Sequence, residues 1–157
     1  LLVIGCVGAV WGHELFVKCD PMRTQMMLPH FALGGLIAGV TWVRIAVRTS
    51  AVAPTHAMPR WMTQSSKLVH VALYGLLVAL PVLGYMSIAS HESPSPVLAT
   101  FSLPTLPYSA SMAHSFKELH EGMASLLLVV LALHVGAVVL HAVVLKDKVL
   151  PSMLGRS

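Results

Sequence analysis

Residues 116–145 read FKELHEGMASLLLVVLALHVGAVVLHAVVL, and their reading decides the fold. Between residues 122 and 140 there is no acid, no lysine or arginine and no proline. A helix needs about 20 predominantly apolar residues to cross a bilayer. Three histidines lie in or beside the run: His120, His134 and His141. At about 100° per residue they fall close to one stripe of the helix. His120 and His134 are 14 residues apart, which is about 21 Å of helix rise. An imidazole in hydrocarbon is costly and needs a partner. Two on one face at that spacing suit two cofactors stacked across a membrane. Haem is the natural candidate, because its iron takes imidazole as an axial ligand.

The composition agrees with a membrane protein. The 157 residues are 56% hydrophobic and only 10% charged, with a mean hydropathy of +0.78. Soluble domains carry about 25% charged residues. The fold class expected is an all-α integral membrane four-helix bundle, one domain over residues 1–157. Its spans are read at about 1–16, 27–47, 67–89 and 116–145. The net charge of +4 is small and scattered, so it does not point to nucleic acid. Cys6 and Cys19 have no metal-binding spacing and read as free thiols. The chain starts at Leu1 inside an apolar run, and the first span is expected to be shortened at its start.

His13 and Glu14 close the first span. In the second, Gly34, Gly35 and Gly39 allow a neighbour or a flat cofactor to come close. Pro81 interrupts the backbone ladder of the third. A loop with Pro94, Pro96, Pro104 and Pro107 precedes the fourth. Basic residues set the orientation. Arg44, Arg48, Arg60 and Lys67 flank the connection between spans two and three, and Lys146, Lys148 and Arg156 follow span four. On the other side Lys18, Arg23 and Lys117 are offset by acids. The positive-inside rule places the linker and C-terminus in the cytoplasm.

Spans two and four then run the same way. His30 and His120 both lie near their outer ends, and this pair is expected to clamp one haem. His134 needs a partner deeper in the membrane. On spacing alone His70 matches His141 better than His134, so a second ligand pair of His70 with His141 stays open. The nine methionines read as core filler, and Trp11, Trp42 and Trp61 as interface aromatics.

The segments LPHFALGG around His30, VHVALYGLLVALPVLGY around His70, FKELHEG around His120 and LALHVGAVVLH around His134 and His141 resemble the bacterial cytochrome b-561 family. That family is similar to the cytochrome b subunits of nickel-iron hydrogenase and formate dehydrogenase. The resemblance covers essentially the whole chain and implies four spans and two b-type haems. It assigns His30 and His120 to the outer haem and His134 to the inner one. The inner haem's other ligand in the family, a histidine near the cytoplasmic start of span one, is expected to fall ahead of Leu1. His13 lies at the opposite end of that span and does not replace it. His70 and His141 are left as quinone candidates, able to bond a carbonyl or pass protons near neutral pH. Either also reads as an interfacial histidine.

The resemblance therefore implies a diheme cytochrome of the bacterial inner membrane. It would move electrons between an outer-face donor or acceptor and ubiquinone or another quinone. Superoxide is one such donor, drawn in by Lys117 and Arg23. Those two cations, with Arg44 and Arg48, also read as partners of haem propionates; for Arg44 and Arg48, anchoring of helix ends weighs more. The alternative is a cytochrome b anchor that relays electrons for a separate dehydrogenase or hydrogenase subunit. A metal transporter, suggested by 9 His and 9 Met, ranks below both.

Overall fold

The structure is a computed structural model, and it describes residues 1–17, 21–50 and 60–145. Lys18, Cys19, Asp20 and the charged tail after residue 145 lie outside these. The chain forms α1 (Leu2–Glu14), α2 (Pro21–Ser50), α3 (Arg60–Ile88), a short α4 (Val97–Thr100) and α5 (Ala110–Val139). A π-helical turn, Leu140–Leu145, continues α5. Among the described residues the only strand-like feature is an isolated bridge between Ser90 and Leu106.

Three helices are long and apolar enough to cross a membrane: Gln25–Arg48 within α2, Arg60–Ile88 and Ala110–Val139. The chain is thus an all-α, integral membrane protein. α1 is apolar but shorter, with 13 residues. All three begin earlier than the expected spans, at Pro21, Arg60 and Ala110, because the helix runs on through polar flanking residues such as Gln25, Gln64 and Ser115. Ser109 caps α5 by accepting from the Met112 amide at 3.3 Å. Ser65 and Ser125 return their hydroxyls to the carbonyls of Trp61 and Glu121, at 2.8 and 3.0 Å. A hydroxyl satisfied on its own helix carries no unpaired polar group into lipid.

α3 packs along α5 and α1 along α2, while α2 and α3 touch more sparingly. The centre is small: Leu76, Leu80 and Leu127, with Val3, Leu77 and Met123 against them. Large apolar side chains such as Leu68, Val71 and Leu133 face outward. In water that would be a defect, but in a bilayer these side chains meet lipid tails as apolar as themselves.

The connection over residues 89–109, expected as a plain loop, is an ordered cap. Ala89, Ser90, Val97 and Leu98 are buried in it. Tyr85 donates to the Pro104 carbonyl at 2.7 Å, Ser90 to the Tyr108 carbonyl at 2.7 Å, and Tyr108 to the Met86 carbonyl. Burial, and then the neighbouring Tyr85, push the Tyr108 phenol above its ordinary pKa. The proton it donates is therefore held firmly. The Glu92 carboxylate accepts from the Ala110 amide at 2.8 Å, at the start of α5. Ser102, with φ 51°, ends α4 in the left-handed region. This lets the Leu103 amide reach the Leu98 carbonyl at 2.9 Å. The turn aims Phe101 and Leu103 at the space between the helices.

Candidate functional site

His30 on α2 and His120 on α5 face each other with ring centres 6.1 Å apart and planes at 77°. A metal about 2 Å from a nitrogen of each ring, with each ring centre about 1 Å further on, separates the centres by about 6 Å. The observed spacing leaves room for a metal ion between the two imidazoles. Their other nitrogens are engaged. His30 Nδ1 lies 3.1 Å from the Cys6 carbonyl oxygen, and His120 Nδ1 lies 2.9 Å from that of Leu80. A carbonyl can only accept, so each Nδ1 carries the proton and each Nε2 keeps its lone pair for a metal. This is the arrangement that orients ligating histidines. The Cys6 sulfur lies 3.3 Å from His30 Nδ1 and 3.5 Å from the His30 carbonyl, to which it donates.

A cavity of about 570 Å³ surrounds the pair, lined by Gly34, Gly35, Pro81, Gly84, Phe101 and Leu103 among others. A Cβ built on Gly34 or Gly35 meets nothing within 4 Å, so the flank beside His30 is open. The walls are apolar, with Phe101 and Leu103 from the 89–109 cap as a roof. A flat, largely apolar macrocycle with iron at its centre fits these residues.

The second meeting is between His70 on α3 and His134 on α5, with ring centres 5.3 Å apart. Spacing had matched His70 with His141, and the structure replaces that match. The reason is register. α3 and α5 run antiparallel with Gly84 against His120. Moving 14 residues down α3 reaches His70, and moving 14 up α5 reaches His134. His70 Nδ1 donates to the Ser66 carbonyl at 2.6 Å, on its own helix. His141 sits half-buried in the π-helical turn, a feature often found at functional positions.

Beside His70 opens a second cavity of about 990 Å³. Its walls are apolar residues of α3 with Arg48, Lys67 and Tyr74. Arg44 donates to the Tyr74 hydroxyl at 3.0 Å. At the other end of the molecule, Arg23 donates to His13 Nε2 at 2.9 Å, to the Phe16 carbonyl at 3.0 Å and to Glu14 at 3.4 Å. Lys117 pairs with Glu121 at 3.5 Å. Both cations offered for anion steering thus have acids beside them.

Among the described residues, no group of three or more His, Cys, Asp or Glu gathers to hold a bare metal ion. His30 and His120 meet as a pair, which would suit a haem rather than a bare ion. The residues that sequence reasoning missed are Cys6, Gly84 and the Leu80 carbonyl. Carbonyl partners have no side-chain signature, and a glycine's role depends on what comes near it.

The model of the family described as prokaryotic cytochrome b561 matches residues 1–156. Cytochrome b561 homolog 1 of Escherichia coli (strain K12) is 29% identical over 143 residues, covering 90% of this chain and 81% of that protein. Cytochrome b561 homolog 2 of the same organism is 29% identical over 124 residues, covering 78% and 64%. Paired histidines between membrane-crossing helices and a family match over nearly every residue lead to one identity. The chain belongs to the prokaryotic cytochrome b561 family, and it is a haem-binding b-type cytochrome that transfers electrons across the membrane.

Proposed function

We propose that this protein is a diheme, quinone-linked cytochrome of the bacterial inner membrane, with the α2–α3 connection and the C-terminus in the cytoplasm. His30 and His120 hold the outer haem, and His134 holds the inner one. The observation that carries the reading is the 6.1 Å spacing of His30 and His120, with both Nδ1 atoms turned to carbonyls. Bound at these levels, about 21 Å apart by helix rise, haem iron supplies reversible one-electron exchange on a route across the bilayer. The chain's own residues do the rest. The imidazoles orient the iron, Gly34 and Gly35 admit the ring, and the roof of Phe101 and Leu103 excludes water.

His70 and His141 serve the quinone. The cavity beside His70 is apolar enough for an isoprenoid tail. With Nδ1 bonded to Ser66, His70 Nε2 is the atom that receives or returns a proton at a quinone oxygen. His70 is not assigned to iron, because 5.3 Å is shorter than two axial imidazoles require.

Superoxide as the outer donor would be steered by Arg23 and Lys117, each of which also has an acid beside it, at 3.4 and 3.5 Å. The second reading for the outer face is electron exchange with a docked redox subunit, a dehydrogenase or hydrogenase. A pyridine haemochrome count on the purified chain tests the haem assignment. His30→Ala and His120→Ala are each expected to remove the same haem. Loss of different haems ends that pairing. Stopped-flow mixing with superoxide separates the two donors. Haem reduction above background selects superoxide, and its absence leaves the docked subunit.

A further inference from the structure

We propose that Gly84 is a positioning residue for His120: its missing side chain is the gap through which that ring reaches the Leu80 carbonyl. Leu80 and Gly84 are four residues apart, so they present one face of α3, one turn above the other. The Leu80 carbonyl already serves the α-helical ladder, and its second lone pair receives His120 Nδ1 at 2.9 Å. The ring then presents its Nδ1–Cε1 edge to the next turn, at Gly84. A Cβ built there would stand 3.1 Å from His120 Cε1 and 3.3 Å from Nδ1. Among the other described glycines, only Gly5 has any neighbour within 4 Å, at 3.5 Å. Gly84 alone is crowded, and the crowding atoms belong to one ring.

The consequence reaches the metal-facing atom. Cε1 lies between the two ring nitrogens, so a methyl pressing on Cε1 and Nδ1 turns the whole imidazole. That lengthens the bond to Leu80 and tilts Nε2 away from the axis shared with His30. A glycine inside a helix costs up to about 1 kcal/mol relative to alanine. Alanine at this position would therefore stabilise α3 if nothing opposed it. The ring of His120 is what opposes it.

The test has two arms. The first is a double-mutant cycle on thermal unfolding of the purified protein. Gly84→Ala is expected to lower the melting temperature when His120 is present. It is expected to leave the temperature unchanged, or raise it, in the His120→Ala background. An equal change in both backgrounds overturns the proposal, and this arm does not depend on haem. The second arm rests on the haem assignment above. In Gly84→Ala, the ferric low-spin signal lost in His120→Ala is expected to shift, and the midpoint potential of that haem with it. The signal of the other haem stays in place. Gly122→Ala, whose Cβ would meet nothing within 4 Å, is expected to shift neither. Wild-type spectra in Gly84→Ala overturn the positioning role, whereas a wild-type protein without haem overturns only the haem assignment.

Discussion

The two histidine meetings differ where it matters for chemistry. His30 and His120 stand 6.1 Å apart, and each anchors its Nδ1 on a carbonyl of a different helix, α1 for His30 and α3 for His120. Their orientation is a product of tertiary packing. His70 and His134 stand 5.3 Å apart, and His70 anchors on its own helix, one turn back at Ser66. The first pair sits under an ordered cap in an apolar cavity. The second borders a larger cavity with Arg48 and Lys67 among its walls. Ring spacing and the origin of the Nδ1 partner thus separate the pair proposed to grip iron from the one in which His70 is proposed to handle protons.

The largest effect that bears on this contrast comes from removing ligands at both levels. His30→Ala combined with His120→Ala is expected to lose no more haem than either alone, if both rings hold one iron as proposed. His134→Ala combined with His120→Ala is expected to lose all of it. The pyridine haemochrome yield per chain reads both. A double variant of His30 and His120 that lost more than either single change would break the pairing.

The next effect tests the second meeting. His70→Ala is expected to keep the wild-type haem count and to slow quinone reduction by about 100-fold, the lower range for a positioned general acid or base. The rate is followed by haem reoxidation after addition of a soluble quinone analogue. Loss of a haem in His70→Ala would instead make His70 an iron ligand, with the two rings moving about 1 Å apart around the metal.

Much of this was legible in residue order alone. The acid-free run around His134 gave a membrane helix, and alternating helix direction brought His30 to His120. The depth of His70 was not legible. Lys67, three residues earlier, was read as marking the membrane edge, but Arg60–Ser66 continue as helix and Lys67 extends from its surface. Only the antiparallel register of α3 on α5, set by Gly84 against His120, brings His70 level with His134. The 89–109 cap was missed for a similar reason. Its prolines announce irregular backbone, whereas its order comes from three hydroxyl-to-carbonyl bonds made by Tyr85, Ser90 and Tyr108.

The smallest effect concerns that cap, the feature present at one meeting and absent at the other. Tyr85→Phe removes one hydrogen bond, to the Pro104 carbonyl, and leaves the ring in the cavity wall. A bond of this kind contributes about 1 kcal/mol. For a chain of this size that corresponds to a fall of about 2–4 °C in melting temperature. Pro104 adjoins Leu103, so loosening this bond lets the roof lift from the His30–His120 cavity. Water entering there would alter the midpoint potential of the haem proposed at His120, while the haem proposed at His134 would keep its own. A shift of both potentials together would mean that the cap acts on the whole helix bundle, and the contrast between the two levels would then owe nothing to the roof.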